Sequence, residues 1–559
     1  MTAFIRGGTV LQPFAFRPIG DALAKVYGPE WMNWRDPEPE NPFNPTGRLL
    51  DRHVDSTIVD KPAVIADGAI VTYRGLRDLV CQSSWAFTQS GILANQRILF
   101  FGTDSLEYIA AWLGAIRAGI VPVVISDLFK AHNLAYFLED LEPSALFIDA
   151  ENVPKLVAIK SSLPGSLKHV FVRGGQTSGL IHVPMSSWED LAARQPTDFA
   201  AVLRNVDDIC YMFYSGGTTG TPKGICHLAR DFELVPSRHG QFWHYQETDV
   251  VYATSKKYFT HGLWPGVLIP LYYGATAVIH RDAATADRVL DTLERYHVTK
   301  WITVPTVIKG VLARWNNETP AIDLPSLSMV VSASEKMPPE LFEKFYRVFG
   351  LEVLDSIGSS EITYEWIANR PEEYRRGSLG KPVFGCEVRL VSPDGQEIDR
   401  PYEPGEAWVK SATRPLFYWR KLDKTQDTFI GTWTRTRDSL YFDEDGFFWF
   451  AGRVDDLFKV HGLWVSPVEV EAAVTEHQAV LEAAVTPWDT PEGTEVKVWV
   501  VLRPGYTPSD DLTQEICQNV RKIGGYKVPN HCEYLDQLPR TPLLKIDRRA
   551  LRQLADDRA

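Results

Sequence analysis

The stretch Tyr214-Ser215-Gly216-Gly217-Thr218-Thr219-Gly220-Thr221-Pro222-Lys223-Gly224 concentrates residue types that can hold a large anion. Gly216, Gly217 and Gly220 let backbone N–H groups come close to it. The hydroxyls of Ser215, Thr218 and Thr219 and the Lys223 ammonium add further donors. The stretch follows the apolar run Ile209 to Phe213, so it begins where a strand ends. A triphosphate requires a donor cluster of this kind. The plainer reading is a Gly/Thr/Pro surface turn, and the length of the run and its Pro-Lys-Gly ending speak against it. The loop is not of the Walker type, because Lys223 follows Pro222 and neither Ser nor Thr comes next.

This stretch resembles the phosphate-binding signature of the adenylate-forming superfamily, which includes acyl-CoA ligases, peptide-synthetase adenylation domains and luciferases. Four further segments resemble that family in the same order. Asp355-Ser356-Ile357-Gly358-Ser359-Ser360-Glu361 resembles the segment that holds adenine and ends in a magnesium-binding Glu. The resemblance implies ATP contacts at Asp355, Ile357, Gly358 and Ser360, with Ser334 and Glu335 nearby, and a metal ligand at Glu361. A carboxylate offers Mg²⁺ a hard oxygen; standing alone, Glu361 would read as a solvated acid in a Gly/Ser loop. Trp433 to Asp438 resembles the segment whose Asp accepts from the ribose hydroxyls. Gly452 to Asp456, continuing to Glu471, resembles the family's hinge segment. That match implies that Arg453 contacts ribose or phosphate, Asp455 is the hinge, and His461 and Gly462 lie on the path of a pantetheine arm. Leu538 to Arg548 resembles the segment with the catalytic lysine, which puts that role on Lys545, supported by Thr218 and Glu361.

The chain departs from the family pattern at four positions. Gly216 stands where a Ser is usual, and Ile357 offers adenine an aliphatic surface in place of an aromatic one. Arg437 replaces the Gly before Asp438 and bears on the local backbone shape. Leu544 replaces the Gly before Lys545, and a positive φ there would make Leu costly.

The resemblance implies an acyl pocket drawn from Tyr258, Phe259, Thr260, His261, Trp264, Ser332, Ser359 and Tyr364. That lining is aromatic and short of cations, which suits a flat ring whose charge is a carboxylate held by Lys545. Its texture resembles benzoate-type ligases, while Tyr364, His261 and Ser334 differ from the simplest benzoate pattern and hint at hydroxyl, amino or extra-ring recognition. For Tyr258, Phe259 and Trp264 the competing reading is ordinary core. The implied reaction joins a carboxylic acid to coenzyme A at the expense of ATP with Mg²⁺, through an acyl adenylate. Alternatives are loading of a separate acyl carrier protein, a medium-chain or alicyclic acid as substrate, a luciferase-like oxidation, and a non-catalytic nucleotide or acyl binder.

The elements that must position these residues read as α/β. Strand-like runs at Arg97–Phe101, 120–125, 145–148, 170–172 and 277–279 alternate with helical patterns such as 105–118, the signature of parallel sheets covered by helices. The resemblance implies a large N-terminal domain, residues 1–454, of two βαβ-type subdomains plus a small barrel. A small mobile α+β domain, residues 455–559, follows, with a helix from Pro467, strands at 483–485 and 496–502, and a helix over 512–523. Residues 28–47 read as an irregular lead-in.

The 559 residues carry a net charge of −13, which argues against nucleic acid as a partner. Six cysteines without CxxC spacing fit a reducing cytoplasm and no zinc site. No signal peptide is visible, and the most apolar stretch, 108–125, is too short and too interrupted for a membrane span. Whether the chain forms a homodimer is left open.

Overall fold

The computed structural model describes residues 25–175, 181–215, 221–315, 323–461, 463–490, 493–540 and 546–556. A seven-stranded sheet is centred on Arg97–Phe101, flanked by Val121–Val124 and Ala145–Asp149. Its strands are parallel except for the last, Lys223–Leu228, which returns antiparallel to Ile209–Ser215. A nine-stranded sheet runs parallel through Thr276–Ile279, Val250–Ala253, Lys300–Thr303, Met329–Ser332 and Val353–Gly358. Antiparallel strands, among them Ala69–Thr72 and Glu365–Ala368, close its edges.

Alternating side chains on the central strand Arg97–Phe101 serve two cores, as the period of a pleated strand requires. Ile98 and Phe100 face the core shared by both sheets, and Leu99 and Phe101 face the opposite layer with Phe137 and Leu138. The shared core also takes the helix Leu106–Arg117, whose residues from Tyr108 onward are all buried. A helix covered on every side can be apolar all round, and from Tyr108 to Ile116 this one is. Ser105 caps it by accepting from the Tyr108 N–H at 3.1 Å.

The third unit is a six-stranded antiparallel sheet in which Gly405–Ser411 lies between Cys386–Val391 and Trp433–Phe442. Beyond it, Val480–Thr490 and Gly493–Leu502 form a hairpin that His531–Tyr534 joins in parallel. The helices Pro467–Thr475 and Asp510–Ile523 pack on that sheet, capped by Ser466 and Ser509. Among the described residues, no helix is long and apolar enough to cross a membrane.

The lead-in departs from the irregular reading. Pro29–Asn33 is a short helix with Pro29 in its first turn, where a missing N–H costs nothing. Packing holds it in place: the Trp31 indole N–H donates to Val383 O at 3.0 Å, and just beyond the helix Trp34 stacks on Phe384 at 5.0 Å.

Candidate active site

Parallel strands present their C-terminal ends at one edge of a sheet, where ligands of α/β proteins gather. Ser332, Asp355, Ile357 and Gly358 all stand at such ends, with Ser332 opposite Asp355 in register. The Ser356 hydroxyl ties the two strands by donating to Ser332 O at 3.1 Å. Asp355 is buried, and burial pushes its carboxyl well above the usual range. Its Oδ1 and the hydroxyls of Ser332 and Ser359 are buried without a hydrogen-bond partner among the described residues. Ser334 and Glu335 are exposed, Ser334 at φ +73° and Glu335 accepting from the Thr306 hydroxyl at 2.6 Å. Ser360 and Glu361 lie in the 3₁₀ turn Ser360–Ile362 that follows.

At the other sheet, Ser215 ends its strand opposite Lys223 in an antiparallel pair, so the two described flanks of the stretch expected to bind phosphate lie side by side. Gly216, Gly217, Thr218, Thr219 and Gly220 lie outside the described residues, as do Gly462, Leu544 and Lys545. Both flanks of the loop are anchored. The Tyr214 hydroxyl donates to Asp140 at 2.8 Å, which Lys421 also contacts at 2.9 Å, and the Tyr136 hydroxyl donates to Pro222 O at 2.6 Å. Lys223 Nζ sits 4.3 Å from the centre of the Tyr418 ring, and the Tyr418 hydroxyl donates to Glu361 Oε1 at 2.9 Å. Tyr418 therefore joins the lysine expected at the phosphates to the acid expected to hold the metal.

Asp438 and Arg453 meet across adjacent strands, with Arg453 Nη1 donating to Asp438 Oδ1 at 2.8 Å. The Asp438 charge is the first cause holding the guanidinium firmly protonated. Arg437 stands in the left-handed region, at φ +63°, and its guanidinium pairs with Asp427. Asp455 is exposed in the 3₁₀ turn Val454–Asp456, and His461 is exposed at φ +50°.

The residues expected to line an acyl pocket divide. Trp264 is fully enclosed between Phe232, at 5.4 Å, and Tyr211, at 5.9 Å. Tyr258 is buried in the same core, whereas Phe259 is exposed and Thr260 half-buried. His261 is buried, with Nδ1 3.1 Å from Glu365 Oε1 and Nε2 3.1 Å from Thr303 O. Tyr364 is buried with its hydroxyl unpartnered among the described residues and packs 4.7 Å from His239.

Two residues missed from the sequence stand beside these. Tyr418 belongs to the irregular segment 416–421, which lies along Lys223–Leu228 through Cys226 N to Phe417 O and Trp419 N to Gly224 O, and no periodicity marks it. Glu365 had a signal: it is the one acid in the buried strand Glu365–Ala368. A surface cavity of about 340 Å³ lined by Trp31, Met32, Trp34, Arg35 and Gly385 includes none of the expected site residues.

Among the described residues, Lys223 lies over the Tyr418 ring, Tyr418 donates to Glu361, and Asp438 pairs with Arg453 across adjacent strands. Residues 50–419 match the AMP-binding enzyme family, and residues 469–545 match the AMP-binding enzyme C-terminal domain. The chain is 32% identical to a benzoate–CoA ligase of Thauera aromatica, over 91% of this chain and 96% of that one. It is 33% identical to a 4-hydroxybenzoate–CoA/benzoate–CoA ligase of Rhodopseudomonas palustris, over 92% of this chain and 95% of that one. Among solved structures, the anthranilate CoA ligase AuaEII in complex with anthranoyl-AMP superposes with a TM-score of 0.85 at 33% identity, covering 92% of this chain and 98% of that one. A benzoate CoA ligase from Burkholderia xenovorans LB400 gives 0.81 at 30% identity, over 91% of this chain and all of the other. With the family match spanning most of the chain and relatives above 30% identity along nearly all of it, the chain belongs to the AMP-binding, adenylate-forming enzymes.

Proposed function

We propose that this enzyme is an ATP-dependent, AMP-forming ligase that joins an aromatic carboxylic acid to coenzyme A. The observation that carries the reading is agreement along more than 90% of the chain with ligases named for benzoate, 4-hydroxybenzoate and anthranilate. In the first half-reaction a carboxylate oxygen attacks the α-phosphorus of ATP; a P–O bond forms, pyrophosphate leaves, and an acyl adenylate results. In the second, a thiolate attacks the acyl carbon and AMP leaves.

The geometry supports a division of labour. Lys223 and the loop hold the β- and γ-phosphates, and Asp438 with Arg453 holds the ribose. Glu361 suits a magnesium ligand: it is half-buried, forms no salt bridge among the described residues, and accepts from the neutral Tyr418 hydroxyl. A magnesium ion held there would offset phosphate charge. Lys545 supplies the cation for adenylation. Residues 455–559 form the unit that turns about Asp455; sheet membership changes between Phe448–Arg453 and Phe458–Val460, which supports a boundary there. The six cysteines are all thiols, in keeping with a cytoplasmic enzyme.

The test is pyrophosphate release over a panel of benzoates, hydroxybenzoates, aminobenzoates, naphthoates, cinnamates and medium-chain acids, with and without CoA, and product masses recorded. Release with an aryl acid and an acyl-CoA mass only when CoA is present is the expected result. Release without thioester would redirect the acceptor to a carrier protein; release with medium-chain acids alone would overturn the aromatic reading. Sedimentation of the same preparation tells a monomer from a homodimer.

A further inference from the structure

Glu365 opens the strand Glu365–Ala368 and lies opposite Gly358 across an antiparallel pair. Its side chain is almost wholly buried, yet the two carboxyl oxygens have different surroundings. Oε1 faces His261 Nδ1 at 3.1 Å. Oε2 has no hydrogen-bond partner among the described residues. It rests on Gly358, where a Cβ would stand 2.6 Å from it. A side chain at 358 would fill the space this oxygen occupies. A buried acceptor left bare is costly unless something else fills it.

Proton counting fixes what that something must be. The other His261 nitrogen, Nε2, lies 3.1 Å from Thr303 O, and a carbonyl only accepts, so Nε2 carries a hydrogen. One proton then lies between Nδ1 and Oε1. If the ring holds it, Glu365 is a carboxylate paired with imidazolium; if Oε1 holds it, Glu365 is a carboxylic acid beside neutral imidazole. Oε2 is an acceptor in both cases, and the pair has no net charge in both. The complement is a neutral hydrogen-bond donor. Gly358 ends its strand and Ser359 leads into the turn that holds Glu361, and His261 belongs to the segment expected to line the acyl pocket, so Glu365, touching both Gly358 and His261, lies where those segments meet.

We propose that Glu365 Oε2, held by His261, accepts a hydrogen bond from a hydroxyl or amino group on the aromatic acid, so that the enzyme selects donor-bearing rings over unsubstituted ones. This rests on the reading of the enzyme as an aryl acid ligase. Glu365 is the selecting group and His261 its positioning residue.

The experiment measures kcat/KM for pyrophosphate release with benzoate and the ortho, meta and para hydroxy- and aminobenzoates, each beside its methoxy or fluoro counterpart. The best acid should bear a donor, and its donor-free counterpart at the same ring position should be roughly 10- to 100-fold poorer. Glu365→Leu should bring that ratio close to one. Equal turnover of both by the wild-type enzyme overturns the proposal, as does a Glu365→Leu variant that slows every acid by one factor. Should the variant fail to fold, the wild-type ratios decide. Aryl turnover without donor preference sinks this inference alone, whereas no turnover of any aryl acid sinks the aryl reading beneath it.

Discussion

The Tyr418 hydroxyl donates a 2.9 Å hydrogen bond to Glu361, from a ring that also carries the Lys223 ammonium on its face. A single side chain thus sets the spacing between a cation and an acid that come from different sheets. The two contacts use different parts of the ring, so they can be separated by mutation.

Tyr418→Phe keeps the face for Lys223 and removes the donor to Glu361. The apparent KM for MgATP should rise about threefold to tenfold, in line with the loss of one hydrogen bond to a carboxylate. The KM for the aryl acid should stay within twofold, roughly the scatter of a remote substitution. Initial rates of pyrophosphate release with each substrate varied in turn check this. An equal rise in both values would mean that Tyr418 supports the whole domain and not the proposed metal ligand Glu361.

Arg437 stands at φ +63° with its guanidinium on Asp427. A left-handed backbone costs a non-glycine residue roughly 1 kcal/mol, and a β-branched one more. Arg437→Gly should therefore stay within about 1 kcal/mol of the wild type, because relief of strain offsets the lost pair and the added chain entropy. Arg437→Val, which keeps the strain and crowds Cβ, should unfold at visibly lower urea. Similar stability of the two variants would refute the strain argument.

Burial, reinforced by the charges of Arg52 and Lys61, pulls the His53 pKa down to about 4. In the unfolded chain a histidine titrates near 6.5. Between those values the unfolded state binds more protons, so this contribution to stability is complete above about pH 6.5 and is lost as pH falls towards 4. At pH 5 the loss is roughly 1–2 kcal/mol. His53→Asn should reduce the difference in urea midpoint between pH 7 and pH 5 by a corresponding amount. An unchanged difference would move the acid sensitivity to other groups.

Most of the frame was legible because strand and helix periods are local. Arg97–Phe101 alternates between two cores, and the Ser105 cap and the glycine after Arg117–Ala118 bracket the central helix. Arg437 was legible as a departure from a glycine, although its φ needed coordinates. Tyr418 was not legible: it lies some two hundred residues from Lys223 in an irregular segment, and only tertiary packing brings them together. Glu365 shows a different limit. A single acid in a buried strand is visible in the sequence, but which of its oxygens lacks a partner depends on His261, a hundred residues earlier.

The two half-reactions make unequal demands on a cation, and that inequality gives a test of Lys545. Attack on the α-phosphorus concentrates negative charge on phosphate oxygens, which a positioned ammonium stabilises. Attack of a thiolate on the acyl adenylate begins with AMP already activated as a leaving group and asks little of the same cation. Lys545→Ala should therefore lower the rate of adenylate formation by roughly 10²- to 10³-fold. It should leave CoA attack on a supplied aryl adenylate within a fewfold of the wild type. Rapid-quench measurement of each half-reaction separates them. Equal loss in both would mean that one arrangement of the C-terminal unit serves both steps, and the turn about Asp455 would have no catalytic purpose.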